Sequence, residues 1–92
     1  MKIIVETKAD MGDIHKCMID FEADVYNKTG QHVNYTINTV GIVTTIELPQ
    51  VSFTVKKGRL AGMKWKIKKK MLETGLQAAC LKNGHSARIV IE

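Results

Sequence analysis

The fifteen residues from position 56 to position 70 contain the densest cluster of charged side chains in this sequence. Eight of these side chains are cationic and none is acidic. Residues 1–48 have a net charge of −3, whereas residues 49–92 have a net charge of +8. Charge segregated in this way creates a local positive field, which favours an anionic partner such as nucleic acid or an acidic protein surface. The cationic residues of this basic segment are Lys56, Lys57, Arg59, Lys64, Lys66, Lys68, Lys69 and Lys70.

Residues suited to catalysis or metal binding are scarce elsewhere in the chain. His15 and Glu22 could share a helix, but two ligands seven residues apart make a weak metal site. Cys17 lies two residues from His15, and this spacing on a helix does not form a Cys–His nucleophile pair. Cys17 and Cys80 also lack neighbours at CxxC spacing, so we expect two free, buried thiols rather than a metal site or a disulfide. The sequence therefore predicts a protein without enzymatic activity, metal or cofactor.

Length and composition predict one compact domain over residues 1–92. The apolar fraction of 45% and the charged fraction of 25% are typical of an ordinary globular protein. No apolar run approaches the roughly 20 residues of a membrane span, and residues 1–8 do not resemble a signal peptide. Together with the free thiols, these features predict a cytoplasmic protein without a membrane partner.

The first third of the sequence predicts a strand followed by a helix. Residues 2–8 contain a β-branched run typical of a strand. Asp10 is a favourable N-cap residue, and Gly30 is suited to the left-handed position that ends a helix begun there. Between them, the apolar side chains recur at spacings of four, three and four, which indicates one buried helical stripe. The stripe consists of Ile14, Met18, Phe21 and Val25.

Residues 32–68 change to a period of two, which is typical of half-buried strands. Apolar and polar residues alternate over 33–37, 42–48, 51–55 and 63–68. Turn-forming residues separate these runs at 38–41, at 49–50 and at 57–62. Short links of this kind predict an antiparallel meander.

The remaining residues predict a second helix over 69–82, ended by Gly84, and a last strand over 86–91. A single long helix over 63–82 is the competing interpretation. The predicted fold is α+β: a two-layer domain, mostly antiparallel sheet with two helices on one face, in the order βαββββαβ. The alternative is a ferredoxin-like βαββαβ order, which requires that 63–68 is not a strand and that 33–48 is one bent strand. In both cases we expect the open face of the sheet to be polar.

In the strand interpretation, Lys64, Lys66 and Lys68 point to the same side, about 7 Å apart along the chain. Trp65 would share the buried face with Met63 and Ile67. Small polar side chains would share or border the lysine face, namely Asn34, Thr36, Asn38, Ser52 and Thr54. Lysines with such neighbours suit a phosphate backbone, whereas no aromatic ring is placed to stack on bases. The sequence therefore predicts a nucleic-acid-binding protein that uses backbone contacts.

Three other interpretations of the basic segment are open. It could dock on an acidic surface of a partner protein, as a binding module or an inhibitor. It could pair with the acidic helix over 10–28 in a second copy, and this head-to-tail association would give a homodimer if a two-fold axis pairs the two patches twice. It could also be a solvated face that only prevents aggregation.

Overall fold

The computed structural model describes all 92 residues and has the predicted element order, βαββββαβ. The α+β two-layer architecture is confirmed, with two helices against a mostly antiparallel sheet. The elements are β1 (Lys2–Thr7), α1 (Met11–Thr29), β2 (Thr36–Val40), β3 (Val43–Glu47), β4 (Ser52–Thr54), β5 (Lys64–Lys66), α2 (Lys69–Leu81) and β6 (Ala87–Ile91).

Helix α1 begins and ends where its capping residues predict. Oδ1 of Asp10 accepts a hydrogen bond of 2.9 Å from the backbone N–H of Gly12, which satisfies one free donor of the first turn. Gly30 has a φ of 75°, and its N–H donates to the carbonyl of Tyr26. The predicted apolar stripe is the buried face of the helix.

Four strands form the main sheet in the order β2-β3-β1-β6, and every neighbouring pair is antiparallel. Strand β1 is central: Ile3 pairs with Ile46 of β3 on one side and with Ile91 of β6 on the other. The predicted continuous meander is therefore wrong. Because β1 occupies the edge of β3 that a meander would have used, β4 and β5 pair only with each other in a separate two-stranded sheet.

Without the β4–β5 hairpin, the elements around the main sheet follow the βαββαβ order, the split βαβ connectivity of ferredoxin-like folds. The conditions set for that alternative are nevertheless not met. Residues 64–66 are a strand, and residues 33–48 contain a hairpin rather than one bent strand. The β4–β5 hairpin is thus an addition between β3 and α2. Connectivity of this kind defines architecture and carries no function by itself.

The turn between β2 and β3 lies later than predicted. Strand β2 continues to Val40, which pairs with Val43, and the turn is formed by Gly41 and Ile42. Gly41 has a φ of 62°, a conformation that favours glycine. Ile42 is 47% exposed instead of joining the buried face of β3, because it belongs to the turn and not to the strand.

Helix α2 confirms the short-helix interpretation over the long one. Its buried side chains are Leu72, Leu76 and Cys80, and Gly84 follows the helix with a φ of 78°. The long helix over 63–82 is excluded because Trp65 pairs with Phe53 in the β4–β5 ladder. Neither helix of the molecule combines the length and the apolar character needed to cross a membrane.

The hydrophobic core lies between the two helices and one face of the main sheet. The sheet contributes Ile3, Val5 and Ile46, which are fully buried. The opposite face of the sheet is open, and it is less polar than predicted. Val40, Val43 and Val90 lie there among charged side chains, and Val40 is 72% exposed.

Candidate functional site

The register of the β4–β5 hairpin separates its cationic face from its apolar face. Ser52 pairs with Lys66 and Thr54 pairs with Lys64, and all four side chains are exposed. Because paired residues point to the same side of a sheet, Lys64 and Lys66 share an open face with two hydroxyl groups, as predicted. The prediction that Lys68 continues this row is wrong, because β5 ends at Lys66 and Lys68 is the N-cap residue of α2. Phe53 pairs with Trp65 on the other face, where Phe53 is buried and Trp65 half-buried.

The prediction that Met63 belongs to the buried face is wrong. Met63 lies in the turn before β5, where its N–H donates to the carbonyl of Leu60, and it is 58% exposed. The alternation that buries Ile67 therefore does not extend back to Met63. Leu60 is exposed to nearly the same extent, at 59%. The tip of the hairpin thus presents two apolar side chains among the cations.

Three of the polar residues predicted to border the lysines lie elsewhere. Thr36 and Asn38 belong to β2 in the main sheet, and Asn34 precedes that strand. They are separated from Lys64 and Lys66 because the hairpin is a sheet of its own.

All eight cationic residues of the basic segment are exposed. They occupy three consecutive parts of the structure: the turn of the hairpin, strand β5, and the entry to α2. Lys68 is the N-cap residue of α2 and makes no side-chain capping bond; Lys69 and Lys70 fill the first turn, which has no acidic residue. Cations at a helix N-terminus oppose the helix dipole, which is positive there. The charges of the lysines and the positive end of the helix dipole therefore add up at this end of α2.

No carboxylate lies within 4.0 Å of these cations. The one contact of that length between a basic and an acidic side chain joins Nδ1 of His32 to Oε1 of Glu22. Glu73 follows Lys69 and Lys70 on α2 but pairs with neither. Exposed lysines without a close carboxylate keep a positive potential that reaches over about one Debye length, roughly 8–10 Å at physiological salt. The charge of the basic segment is thus available to an external anion.

The hairpin is held against the C-terminal end of α1 by one backbone hydrogen bond and by one hydrogen bond from a side chain that follows the helix. The N–H of Lys56 donates to the carbonyl of Thr29 at 2.7 Å, and Nε2 of Gln31 donates to the carbonyl of Thr54. These bonds hold the cationic face in one orientation relative to the helices.

Sequence reasoning missed Lys28 as a member of this surface. Its Nζ lies 6.0 Å from the ring centroid of Trp65, at the edge of cation–π distance. Lys28 is in the last turn of α1, where a basic residue also complements the helix dipole. The sequence places Lys28 near the end of the first helix, but only the packing of the hairpin brings it close to Trp65.

Both cysteines are free, as predicted. Cys80 is buried, whereas Cys17 is only half-buried, so the expectation of two fully buried thiols is wrong for Cys17. Burial raises the pKa of Cys17, and the nearby carboxylate of Asp20 adds to the shift. The thiol is therefore neutral near pH 7 and is a poor nucleophile. No three side chains among His, Cys, Asp and Glu are grouped closely enough to hold a metal ion.

A groove of about 550 Å³ lies between α1 and α2. Its floor includes Cys17, Phe21 and Gly75, and its α1 wall carries carboxylates. It contains none of the eight cations of the basic segment, so the two features are separate surfaces.

Comparisons of the chain with protein-family models, with curated proteins and with solved structures found no match. The inference of function therefore depends on the chemistry of these surfaces.

Proposed function

We propose that this chain is a non-enzymatic protein that binds nucleic acid through the phosphate backbone, with the basic segment as its contact surface. The observation that carries the proposal is the set of eight exposed cations without a single carboxylate partner. Exposed lysine and arginine side chains bind phosphate backbones through their charge, and hydroxyl groups supply additional donors.

The orientation of the hairpin supports backbone contact rather than base reading. Lys64, Lys66, Ser52 and Thr54 point outward together, so charge and hydroxyl donors face the same partner. Trp65, the aromatic ring of β5, faces inward and packs at 6.2 Å from Phe53, measured between ring centroids. Base stacking requires an exposed, unoccupied ring, and Tyr26, which is exposed beside Lys57, already stacks on His32. We therefore expect weak sequence preference.

The entry to α2 supports the same partner. Three lysines at the N-terminal end of a helix are unfavourable in the free protein, and a bound phosphate would relieve their mutual repulsion. A cytoplasmic location is part of the proposal, since both cysteines are free.

A salt titration tests the proposal. Binding of a fluorescent random-sequence duplex should weaken steeply with salt, with a logarithmic slope of about −4 to −5 if about five phosphates are contacted. Lys64→Glu/Lys66→Glu should abolish the binding. Lys2→Glu/Lys8→Glu makes the same change in net charge at exposed sites outside the basic segment and should retain most of the affinity. Equal losses in the two variants would mean that net charge alone drives association, and absence of binding at low salt would refute the proposal.

The second candidate is a protein-binding module or inhibitor that docks on an acidic surface. The specific observation in its favour is the exposure of Leu60 and Met63 at the tip of the hairpin, since apolar anchors serve a protein interface and not a phosphate backbone. Leu60→Ser/Met63→Ser separates the two candidates. This variant should bind nucleic acid as well as the natural chain does, whereas it should lose an acidic protein partner.

A further inference from the structure

The groove between α1 and α2 has two chemically different halves. Asp13 accepts a hydrogen bond of 2.6 Å from Asn83, and this contact marks the end of the groove where α1 begins and α2 ends. Lys16 and Lys82 line the same end. Farther along α1, the lining consists of Asp20, Phe21 and Asp24, opposite Met71 at the start of α2. That second half contains two carboxylates and no cation.

The second half of the groove also offers apolar surface. Phe21 forms part of the floor, and Met71 is exposed on the rim. Gly75 has no side chain, so the groove remains open where the helices approach each other: a β carbon at Gly75 would lie 3.7 Å from Sγ of Cys17. The site thus suits a ligand that combines positive charge with one or two aliphatic side chains.

The tip of the hairpin, residues 57–63, has this composition. It carries Lys57 and Arg59 next to the exposed side chains of Leu60 and Met63. Backbone hydrogen bonds already order it: the N–H of Gly62 donates to the carbonyl of Val55 at 2.7 Å, and the N–H of Val55 donates to the carbonyl of Met63 at 2.8 Å. A preformed tip loses little conformational entropy when it docks.

We propose that the acidic half of the groove binds the hairpin tip of a second copy of this chain. Arg59 of one copy would face Asp20 and Asp24 of the other, while Leu60 and Met63 would pack on Phe21 and Met71. The groove and the tip are two exposed features of the same molecule that are complementary in charge and in apolar surface. It does not depend on the proposed function.

The contact joins two different surfaces, so it is heterologous unless a two-fold axis pairs each tip with the groove of the other copy. With the two-fold axis the association closes at the dimer. Without it, each pair retains one unoccupied groove and one unoccupied tip, and association should continue beyond the dimer as concentration rises. Because the tip contains Lys57 and Arg59, a polyanion bound to the basic segment should compete with self-association.

Analytical ultracentrifugation of the full chain tests the inference. The average mass should rise above that of the monomer with increasing concentration, and more strongly at about 0.05 M salt than at about 0.5 M salt. A groove variant, Asp20→Lys/Asp24→Lys, and a tip variant, Arg59→Glu/Met63→Glu, should each remain monomeric on their own. All four positions are exposed, so both variants should fold. Thermal melting checks this before the masses are compared.

The decisive measurement is the equimolar mixture of the groove variant and the tip variant. One supplies an intact tip and the other an intact groove, so the mixture should form a 1:1 complex and nothing larger. Lys2→Glu/Lys8→Glu reverses two exposed charges outside the groove and the tip, and this control should associate like the natural chain. A natural chain that stays monomeric at all concentrations overturns the inference, as does a mixture that shows no complex. The groove variant should still bind duplex DNA, so failure of this inference and failure of the proposed function give different results.

Discussion

The ammonium group of Lys57 lies over the ring of Tyr26, with Nζ 4.9 Å from the ring centroid. This contact joins the tip of the basic hairpin to the C-terminal end of α1. The ring of Tyr26 also stacks on His32 at 4.5 Å, and His32 in turn lies 3.7 Å from Glu22. The hairpin is therefore held not only by hydrogen bonds but also by side-chain contacts with the C-terminal end of α1.

Gly30 should be intolerant of a side chain because of this junction. Its φ of 75° costs an alanine roughly 1–2 kcal/mol, and a β carbon there would lie 3.3 Å from Cγ of Lys57. Gly58 has a similar φ of 77°, but open space surrounds it. We expect Gly30→Ala to lower the free energy of unfolding more than Gly58→Ala does, as measured by urea denaturation. Equal losses would show that Lys57 is not packed against the helix end.

Trp65 should stabilise the hairpin to an intermediate degree. It is half-buried and packs against Phe53, with Lys28 near its ring. Trp65→Ala should therefore cost about 2 kcal/mol, less than the 3–5 kcal/mol typical of a fully buried aromatic side chain. Lys66→Ala, one residue away on the open face, should cost no more than about 0.5 kcal/mol. Chemical denaturation of both variants checks this difference, and similar costs would contradict the assignment of the two faces.

Ile67 and Met63 should differ sharply, although both have the same parity as Trp65. Ile67 is buried, so Ile67→Ala should cost about 2–5 kcal/mol through lost burial and the cavity left behind. Met63→Ala removes an exposed side chain and should change stability by no more than about 0.5 kcal/mol. Thermal and urea denaturation of the two variants test the prediction. A large loss from Met63→Ala would place Met63 back in the core.

Cys17 should make the stability of the protein decline in alkaline solution. Burial, followed by the charges of Asp20 and Cys80, raises its pKa above the ordinary value of 9.0. The folded state then holds a proton that the unfolded state releases first, so this contribution is complete below about pH 9 and is lost as pH rises through the higher folded pKa. Tyr35 acts in the same direction above pH 10, since burial and then Glu22 raise its pKa as well.

Urea denaturation under reducing conditions, at about pH 8 and about pH 10, measures this decline. Cys17→Ser has a hydroxyl that does not titrate in this range, so the variant should lose less stability between the two pH values than the natural chain does. An identical decline in both proteins would assign it to other groups.

The sequence by itself determined the identity and order of the helices and strands, because the signals are local. The caps at Asp10 and Gly30 and the period of the apolar stripe are set within α1 itself. The exposure of Lys64 and Lys66 likewise follows from alternation along one strand. The candidate binding surface could therefore be predicted in outline from the residues of the basic segment.

Only the tertiary structure decided which strands pair and which side chains meet across elements. Alternation shows that a strand has a buried face but does not identify its neighbour, so nothing in residues 42–55 indicates that β1 would occupy the place beside β3. Met63 follows the same parity as Ile67, yet the turn ends the ladder before it and leaves it in solvent. Lys28 joins the cationic surface, and Asn38 is kept away from it, because the hairpin packs on the end of α1 instead of extending the main sheet. Such contacts join residues far apart in the chain, and their free energy depends on the packing of the whole molecule.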